Sequence, residues 1–241
     1  MADLIDAGTI PRIPVHDANG ATIGDFPVRR IYCVGRNFAD HAREMGATAP
    51  ASKEDRGSPV FFCKPTDAIV IDGNVPYPSG TRNLHHEVEL VVALGRDAPL
   101  GVLAVQDAMP LVFGYGIGLD LTRRDLQAAA KAKGLPWDTG KGFDYSAPVS
   151  ALLPGGQMGD YHSLDISLQV NGETRQHGHL SDLIWDVGDI LHELSLLYAL
   201  RAGDVIFMGT PAGVGPLQVG DHYIARLGSL LELHGHIQPP K

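Results

Sequence analysis

Apolar and polar positions along the chain change period repeatedly, and the changes divide it into short elements. Strict alternation marks a strand with one buried face, and it is clearest in Leu164-Asp165-Ile166-Ser167-Leu168-Gln169-Val170. Asn171-Gly172 follows and predicts a tight hairpin, since both central residues of such a turn take positive φ. Strands are also predicted from Phe26 to Gly35, from Pro59 to Pro65, over Ala68–Ile71 and from Asp204 to Met208, with an edge strand and turn between Ile10 and Gly20. Helical spacing predicts Ala39 to Met45 stopped by Gly46, a short helix over Val105 to Met109, Arg123 to Lys133, and Asp189 to Leu200. For the third of these, Thr122 is the expected N-cap with Asp125 at N3, and Gly134 and Pro136 close it. The polar stretch Ala47 to Ser58 reads as disorder or as a functional lid that carries His41.

Two stretches place acids inside apolar patterns. Leu84-His85-His86-Glu87-Val88-Glu89-Leu90-Val91-Val92 reads as one strand, in which Glu87 and Glu89 share a face. Adjacent carboxylates there repel unless a cation or a proton lies between them. Phe113-Gly114-Tyr115-Gly116-Ile117-Gly118-Leu119-Asp120 is a glycine-rich strand ending in an acid before a helix. Were the three carboxylates to converge, they would form an oxygen-only site for a hard cation, Mg²⁺ or Mn²⁺ rather than zinc. The alternative is a solvated sheet face with Asp120 merely ending its strand.

Composition narrows the class. A chain of 241 residues with 44% hydrophobic and 20% charged residues fits one large domain, here 26–241, with an N-terminal extension over 1–25. A formal net charge of −9 without a basic stripe argues against a nucleic-acid partner, yet local cations still permit an anionic substrate. Cys33 and Cys63 are too few for a disulfide scaffold, and no segment has the length of a membrane span. A cytoplasmic protein with no membrane partner is expected.

Further candidates surround the acidic trio. His41 and Glu44 lie one helical turn apart; the pair is either a general base with an orienting carboxylate or a surface contact worth a few tenths of a kcal/mol. Arg124 and Gln127 share a helix face near Asp120 and suit a carboxylate or carbonyl clamp, although Arg123 could equally point inward. Lys141, in the glycine-flanked loop Leu135 to Asp144, can place a compact positive charge on a developing oxyanion. Gly209-Thr210-Pro211-Ala212-Gly213-Val214-Gly215 lacks the lysine of a phosphate loop, but its backbone N–H groups and the Thr210 hydroxyl can bind a carboxylate. Arg36, Lys64 and Arg43 are candidates for a second, distal carboxylate. His177-Gly178-His179 and His234-Gly235-His236 have metal-like spacing but no evident third ligand.

Together, Val34-Gly35-Arg36-Asn37-Phe38-Ala39-Asp40-His41, Asn83 to Leu90, Gly118-Leu119-Asp120 with Arg124 to Gln127, and Gly209 to Gly215 resemble the fumarylacetoacetate hydrolase family, in order and spacing, over Phe26 to Leu233. The resemblance implies an α+β, mainly β fold, a mixed β-sandwich roll of the C-terminal-domain type of that family. It implies Glu87, Glu89 and Asp120 as ligands of Mg²⁺ or Mn²⁺, and His41 with Glu44 as a water-activating dyad. Arg124, Gln127 and Lys141 become substrate-orienting and oxyanion-side groups, Thr210 becomes a carboxylate contact, and a homodimer is implied. Leu121 to Gln127 and Pro136 to Asp144 are most similar to the fumarylpyruvate-cleaving members of gentisate breakdown. The expected reaction is therefore hydrolysis of a C–C bond in a 2,4-diketo acid, fumarylpyruvate giving fumarate and pyruvate. The alternatives are oxaloacetate decarboxylation, a general acylpyruvase, or a hydroxymuconate-type isomerisation, which can use the same metal–enolate site.

Overall fold

Every residue of the strand Val88–Leu94 is buried, which happens only when both faces of a sheet are covered. Its alternate side chains enter two separate cores. Val88, Leu90, Val92 and Leu94 belong to the larger, with Tyr32, Ile117, Ile206 and Trp185. Val91 and Ala93 face a smaller one with Cys33, Val149, Val205 and Phe207. The computed structural model describes residues 8–44, 46 and 55–241. Most of the predicted lid and the C-terminal residue of the first predicted helix, Met45, lie outside the described residues.

The central sheet has six strands, in the order Leu153–Pro154, Val112–Leu119, Val88–Leu94, Asp204–Phe207, Arg30–Gly35 and Val60–Lys64. Five strands form a second sheet, in the order Glu173–His179, Asp165–Val170, His222–Leu227, Leu231–Gln238 and Asn74–Pro76. The larger core lies between the two sheets. This is the mixed, mainly β arrangement that the resemblance implies, with short helices at its rim.

Residues before the matched segment contribute to the smaller core. Arg12–His16 and Thr22–Pro27 pair as an antiparallel hairpin, burying Ile13, Val15 and Phe26. Val15 also bridges to Leu152 of the domain. The expected continuous strand from Phe26 to Gly35 is two strands, broken at Val28–Arg29, where Arg29 N–H donates to Gly203 O and the chain changes partners.

The glycines of Val112–Leu119 answer to packing. A β-carbon on Gly118 would stand 2.7 Å from the Phe207 ring and 2.9 Å from Pro148 O, so no larger residue allows this approach. Among the described residues no helix is long and apolar enough to cross a membrane.

Candidate metal-centred active site

The acidic stretch is not one strand, as the alternation predicts, but two. Leu84–His86 pairs with Thr122–Arg123 and Gly215–Leu217 in a small sheet, and Val88–Leu94 joins the central sheet. Glu87 occupies the junction, where its carbonyl accepts the Asp120 N–H at 2.8 Å. Glu89 pairs with Gly118 across the ladder. This crossing of the two chains brings Glu87, Glu89 and Asp120 together, with one oxygen of each within 4.8 Å of the others and all three side chains buried. Solvated-face and strand-end readings are both excluded.

Three buried or half-buried cations stand against these carboxylates. Lys141 Nζ lies 2.8 Å from Glu87 Oε2 and 2.5 Å from Asp120 Oδ2. Lys64 Nζ lies 2.8 Å from Asp120 Oδ1 and donates to the Leu121 and Lys141 carbonyls. Arg124 contacts Glu87 through one guanidinium nitrogen and Gln127 Oε1, at 2.5 Å, through another. Arg124 is thus the inward residue of its pair, while Arg123 stacks on Phe143. Lys64 is withdrawn behind Asp120, too deep for a distal carboxylate, and Arg43 is exposed and paired with Asp40.

Burial raises the Glu87 pKa, but the charges of Lys141 and Arg124 overcome it and hold the group well below its ordinary range. Glu89 goes the other way. Burial, followed by repulsion from Asp120 and Glu87, raises it well above the usual value despite Lys141 and a hydrogen bond from Gly209 N–H. For Lys141 burial opposes the charge, yet Asp120 and Glu87 outweigh it and keep the ammonium protonated. The residues fit a hard divalent cation. Three oxygen donors converge, Glu89 favours a proton in the absence of further positive charge, and Asp120 Oδ1 receives no hydrogen bond of acceptable geometry.

His41 lies on the helix Ala39–Glu44 and is buried. Its Nδ1 stands 3.4 Å from Glu44 Oε2. Burial lowers its pKa, against the opposing pull of Glu87 and Glu44, so the imidazole is neutral near pH 7. Asn37 anchors the turn that feeds this helix. Its amide donates to Trp185 O at 3.0 Å and Met208 O at 2.7 Å, and its Oδ1 accepts Trp185 N–H at 2.7 Å. Arg36, just before it, takes a left-handed φ of 60° and lines the same cavity as His41, Glu87, Glu89, Arg124, Gln127 and Lys141. Phe62 and Trp137 supply apolar wall.

The loop Gly209 to Gly215 meets this cavity through Thr210, and two of the backbone N–H groups that the sequence offers to a ligand are turned to other partners. Gly209 N–H donates to Glu89 Oε2 at 2.8 Å, and Gly213 N–H donates to Glu44 at 3.2 Å. The loop therefore holds one carboxylate of the acidic trio and the carboxylate beside His41. Gly209 has φ +96°, and a β-carbon there would stand 2.6 Å from the Asn37 side chain.

Local chemistry departs from expectation in two further places. Thr122 is not an N-cap; its hydroxyl donates to Asp120 O, the helix begins at Arg124, and Asp125 instead binds Thr81 and Arg82. The segment bearing Lys141 is a helical turn, Asp138–Lys141, rather than a loop. His177 and His179 contact Asp165 only at 3.6 and 3.9 Å, and Glu87, Glu89 and Asp120 are the metal-like cluster among the described residues. Lys64 and Gln176 are the residues packed against the site that the sequence did not resolve. A lysine ending an apolar strand was a visible signal, whereas Gln176 sits in a polar strand that gives none.

Residues 30–238 match the family model of the fumarylacetoacetate hydrolase C-terminal domain. The chain belongs to the fumarylacetoacetate hydrolase family. Within it, the chain is 42% identical over 214 residues to a mitochondrial oxaloacetate tautomerase of Bos taurus, covering 88% of this chain and 93% of that one. An oxaloacetate tautomerase of Escherichia coli K12 is 41% identical over 208 residues, covering 86% and 91%. The crystal structure of a Pseudomonas aeruginosa fumarylpyruvate hydrolase with Mn²⁺ and pyruvate superposes with a TM-score of 0.90 at 41% identity, covering 99% of this chain and 100% of that one. Family membership makes the chain an enzyme of this class.

Proposed function

We propose that this family member catalyses metal-assisted enolisation of a 2-oxo dicarboxylic acid, with oxaloacetate tautomerisation or decarboxylation as the primary activity. The observation that carries the reading is a buried imidazole, His41, held neutral at the wall of a cavity lined by Glu87, Glu89, Lys141 and Arg124, with Asp120 completing the acidic trio behind it. The names of the curated relatives support oxaloacetate as the substrate.

A Mg²⁺ or Mn²⁺ ion held by Glu87, Glu89 and Asp120 would supply Lewis acidity toward the 2-oxo acid. The chain's own groups do the rest. Lys64, Lys141 and Arg124 equal the three carboxylates in number, all contacting Glu87 or Asp120, so a divalent cation leaves two excess positive charges, which suits a dianion. Arg124, Gln127 and Thr210 orient the substrate, and Arg36 at the rim meets its far carboxylate. His41 removes the proton from the carbon between the two carbonyl groups, and Lys141 stabilises the negative charge that develops on the 2-oxo oxygen. Returning that proton to oxygen gives the enol. Decarboxylation instead starts from the keto form with both hydrogens still on that carbon: the far carboxylate leaves as CO₂, its bonding pair becomes the pyruvate enolate that Lys141 stabilises, and a proton taken up at carbon gives pyruvate.

A second reading, hydrolysis of fumarylpyruvate to fumarate and pyruvate, is supported by the His41–Glu44 pair and by the near-complete match to the Pseudomonas enzyme. A carboxylate behind a neutral imidazole orients it as a base toward water, and tautomerisation requires no activated water. The distinguishing experiment follows three signals with Mg²⁺ and an EDTA control: loss of the oxaloacetate enol absorbance, CO₂ release, and consumption of fumarylpyruvate. Oxaloacetate turnover at a kcat/KM equal to or above that for fumarylpyruvate is expected. A preference of a hundredfold or more for fumarylpyruvate, about 2.7 kcal/mol in transition-state binding, would instead make the enzyme a hydrolase.

A further inference from the structure

Gln176 is 1% exposed, stands in the strand Glu173–His179, and uses both ends of its amide. Its Oε1 accepts the Val88 backbone N–H at 3.0 Å and pairs with His86 Nδ1 at 2.8 Å. Its Nε2 donates to Pro211 O at 2.9 Å and to Thr210 Oγ1 at 2.8 Å. The two backbone partners fix the amide orientation without ambiguity. Val88 N–H can only donate and the Pro211 carbonyl can only accept, so oxygen must face one and nitrogen the other.

A proton direction follows. With Oε1 committed as an acceptor, His86 carries its proton on Nδ1. With both Nε2 hydrogens donated, Thr210 Oγ1 is an acceptor toward Gln176, and the hydroxyl proton must point elsewhere. Thr210 lines the cavity beside Glu89 and Lys141. Of the carboxylates lining that cavity, Glu89 accepts the Gly209 N–H through Oε2, and Glu87 is paired with Lys141 and Arg124.

We propose that Gln176 is a positioning residue that sets Thr210 as an obligate hydrogen-bond donor to the carboxylate of the bound 2-oxo acid. The inference rests on the 2-oxo acid reading given above and adds a specificity element to it. A site with an oriented hydroxyl donor prefers an anionic acceptor and discriminates against a ligand that presents a donor at that place. The same amide ties the segment flanking Glu87 to the Thr210 loop, so the donor and the metal ligands are registered to one another across two sheets.

The test uses pyruvate binding by calorimetry on the full chain saturated with Mn²⁺, with steady-state KM and kcat on oxaloacetate in parallel. Thr210→Val is expected to weaken pyruvate about tenfold, the size of one charge-assisted hydrogen bond, and Thr210→Ser to retain affinity. Gln176→Glu lacks the amide donors and turns the Thr210 proton toward itself. It is expected to lose about tenfold in pyruvate affinity and in KM, with a smaller change in kcat. Gln176→Met, used where the acidic variant does not fold, frees the Thr210 hydroxyl without reversing it, so a smaller loss of pyruvate affinity with kcat nearly unchanged is expected, and full affinity would overturn the inference. In the Thr210→Val background the Gln176 substitution should cost nothing more. Additive losses in the double variant would assign Gln176 a merely structural role and overturn the inference, as would Thr210→Val with full affinity. Failure of the wild-type protein to bind either pyruvate or oxaloacetate with Mn²⁺ present would overturn the 2-oxo acid reading itself, and this inference with it.

Discussion

Lys64 has a side chain that is 0% exposed, and it touches Asp120 and two backbone carbonyls. Removing Lys64 leaves Asp120 with Lys141 and takes away one buried charge-assisted contact, which costs about 1.5–3 kcal/mol. Lys64→Met in EDTA is therefore expected to lower the unfolding free energy measured in urea by that amount, and a loss below about 0.5 kcal/mol would show that Lys64 is dispensable to the site. His41→Ala is expected to lower turnover by about 10²–10⁴, the range for a general base, while Mn²⁺ affinity is unchanged. A variant with the wild-type rate would remove the imidazole from the chemistry. Far from the site, partial burial opposes charging of His162, but hydrogen bonds with Asp160 and the charge of Asp186 outweigh it, raising the pKa above 6.5. With the folded value above the unfolded one, the stabilisation is fully present below pH 6.5 and is lost as pH rises through the folded value. NMR titration of the imidazole should report that elevation, and Asp160→Asn should reduce it.

Among the elements, the strand Val88–Leu94 shows how one period serves two purposes. Even-numbered positions fill the larger core, and odd-numbered ones place Glu89 at the site end and Val91 and Ala93 in the smaller core. Leu90 is completely buried. Leu90→Ala should cost about 2–5 kcal/mol and be seen as a lower Tm, whereas a loss under about 1 kcal/mol would mean that the two sheets close the cavity by moving. The alternation of this strand was legible because burial on both faces leaves a nearly unbroken apolar run. Its true start was not legible. Leu84 to Val92 keeps the same periodicity across Glu87, and only the change of pairing partners ends one strand and begins another. For the same reason Thr122 looked like a cap. Its side-chain chemistry is that of an N-cap residue, but here the hydroxyl binds Asp120 O and the helix starts two residues later.

At the scale of the molecule, the fold assembles an acidic trio that fits a divalent cation. EDTA should abolish turnover, and Mg²⁺ or Mn²⁺ should restore it; activity that survives exhaustive chelation would remove the carboxylate trio from catalysis. A homodimer is proposed on the family resemblance. The surface carries apolar residues on adjacent segments that fit such a contact, Leu100 at 102% and Leu197 at 61% exposure, joined through the Ala98 N–H to Leu200 O hydrogen bond. Light scattering should give twice the chain mass of 25.7 kDa, and a mass of one chain would exclude the dimer.

The sequence by itself determined the β-rich class, the Asn171-Gly172 hairpin and the identity of the acidic trio, because each of these is written locally. Strand period follows from which side chains must be buried, turn type from which residues tolerate positive φ, and acids in an apolar run have few chemical uses. Tertiary structure alone decided the rest. It chose Arg124 over Arg123, withdrew Lys64 behind Asp120, used the Gly209 and Gly213 N–H groups to hold Glu89 and Glu44, and brought Gln176 to Thr210. These are contacts between segments distant in the chain. Their partners are selected by how two sheets pack, and packing leaves no period in either segment to read.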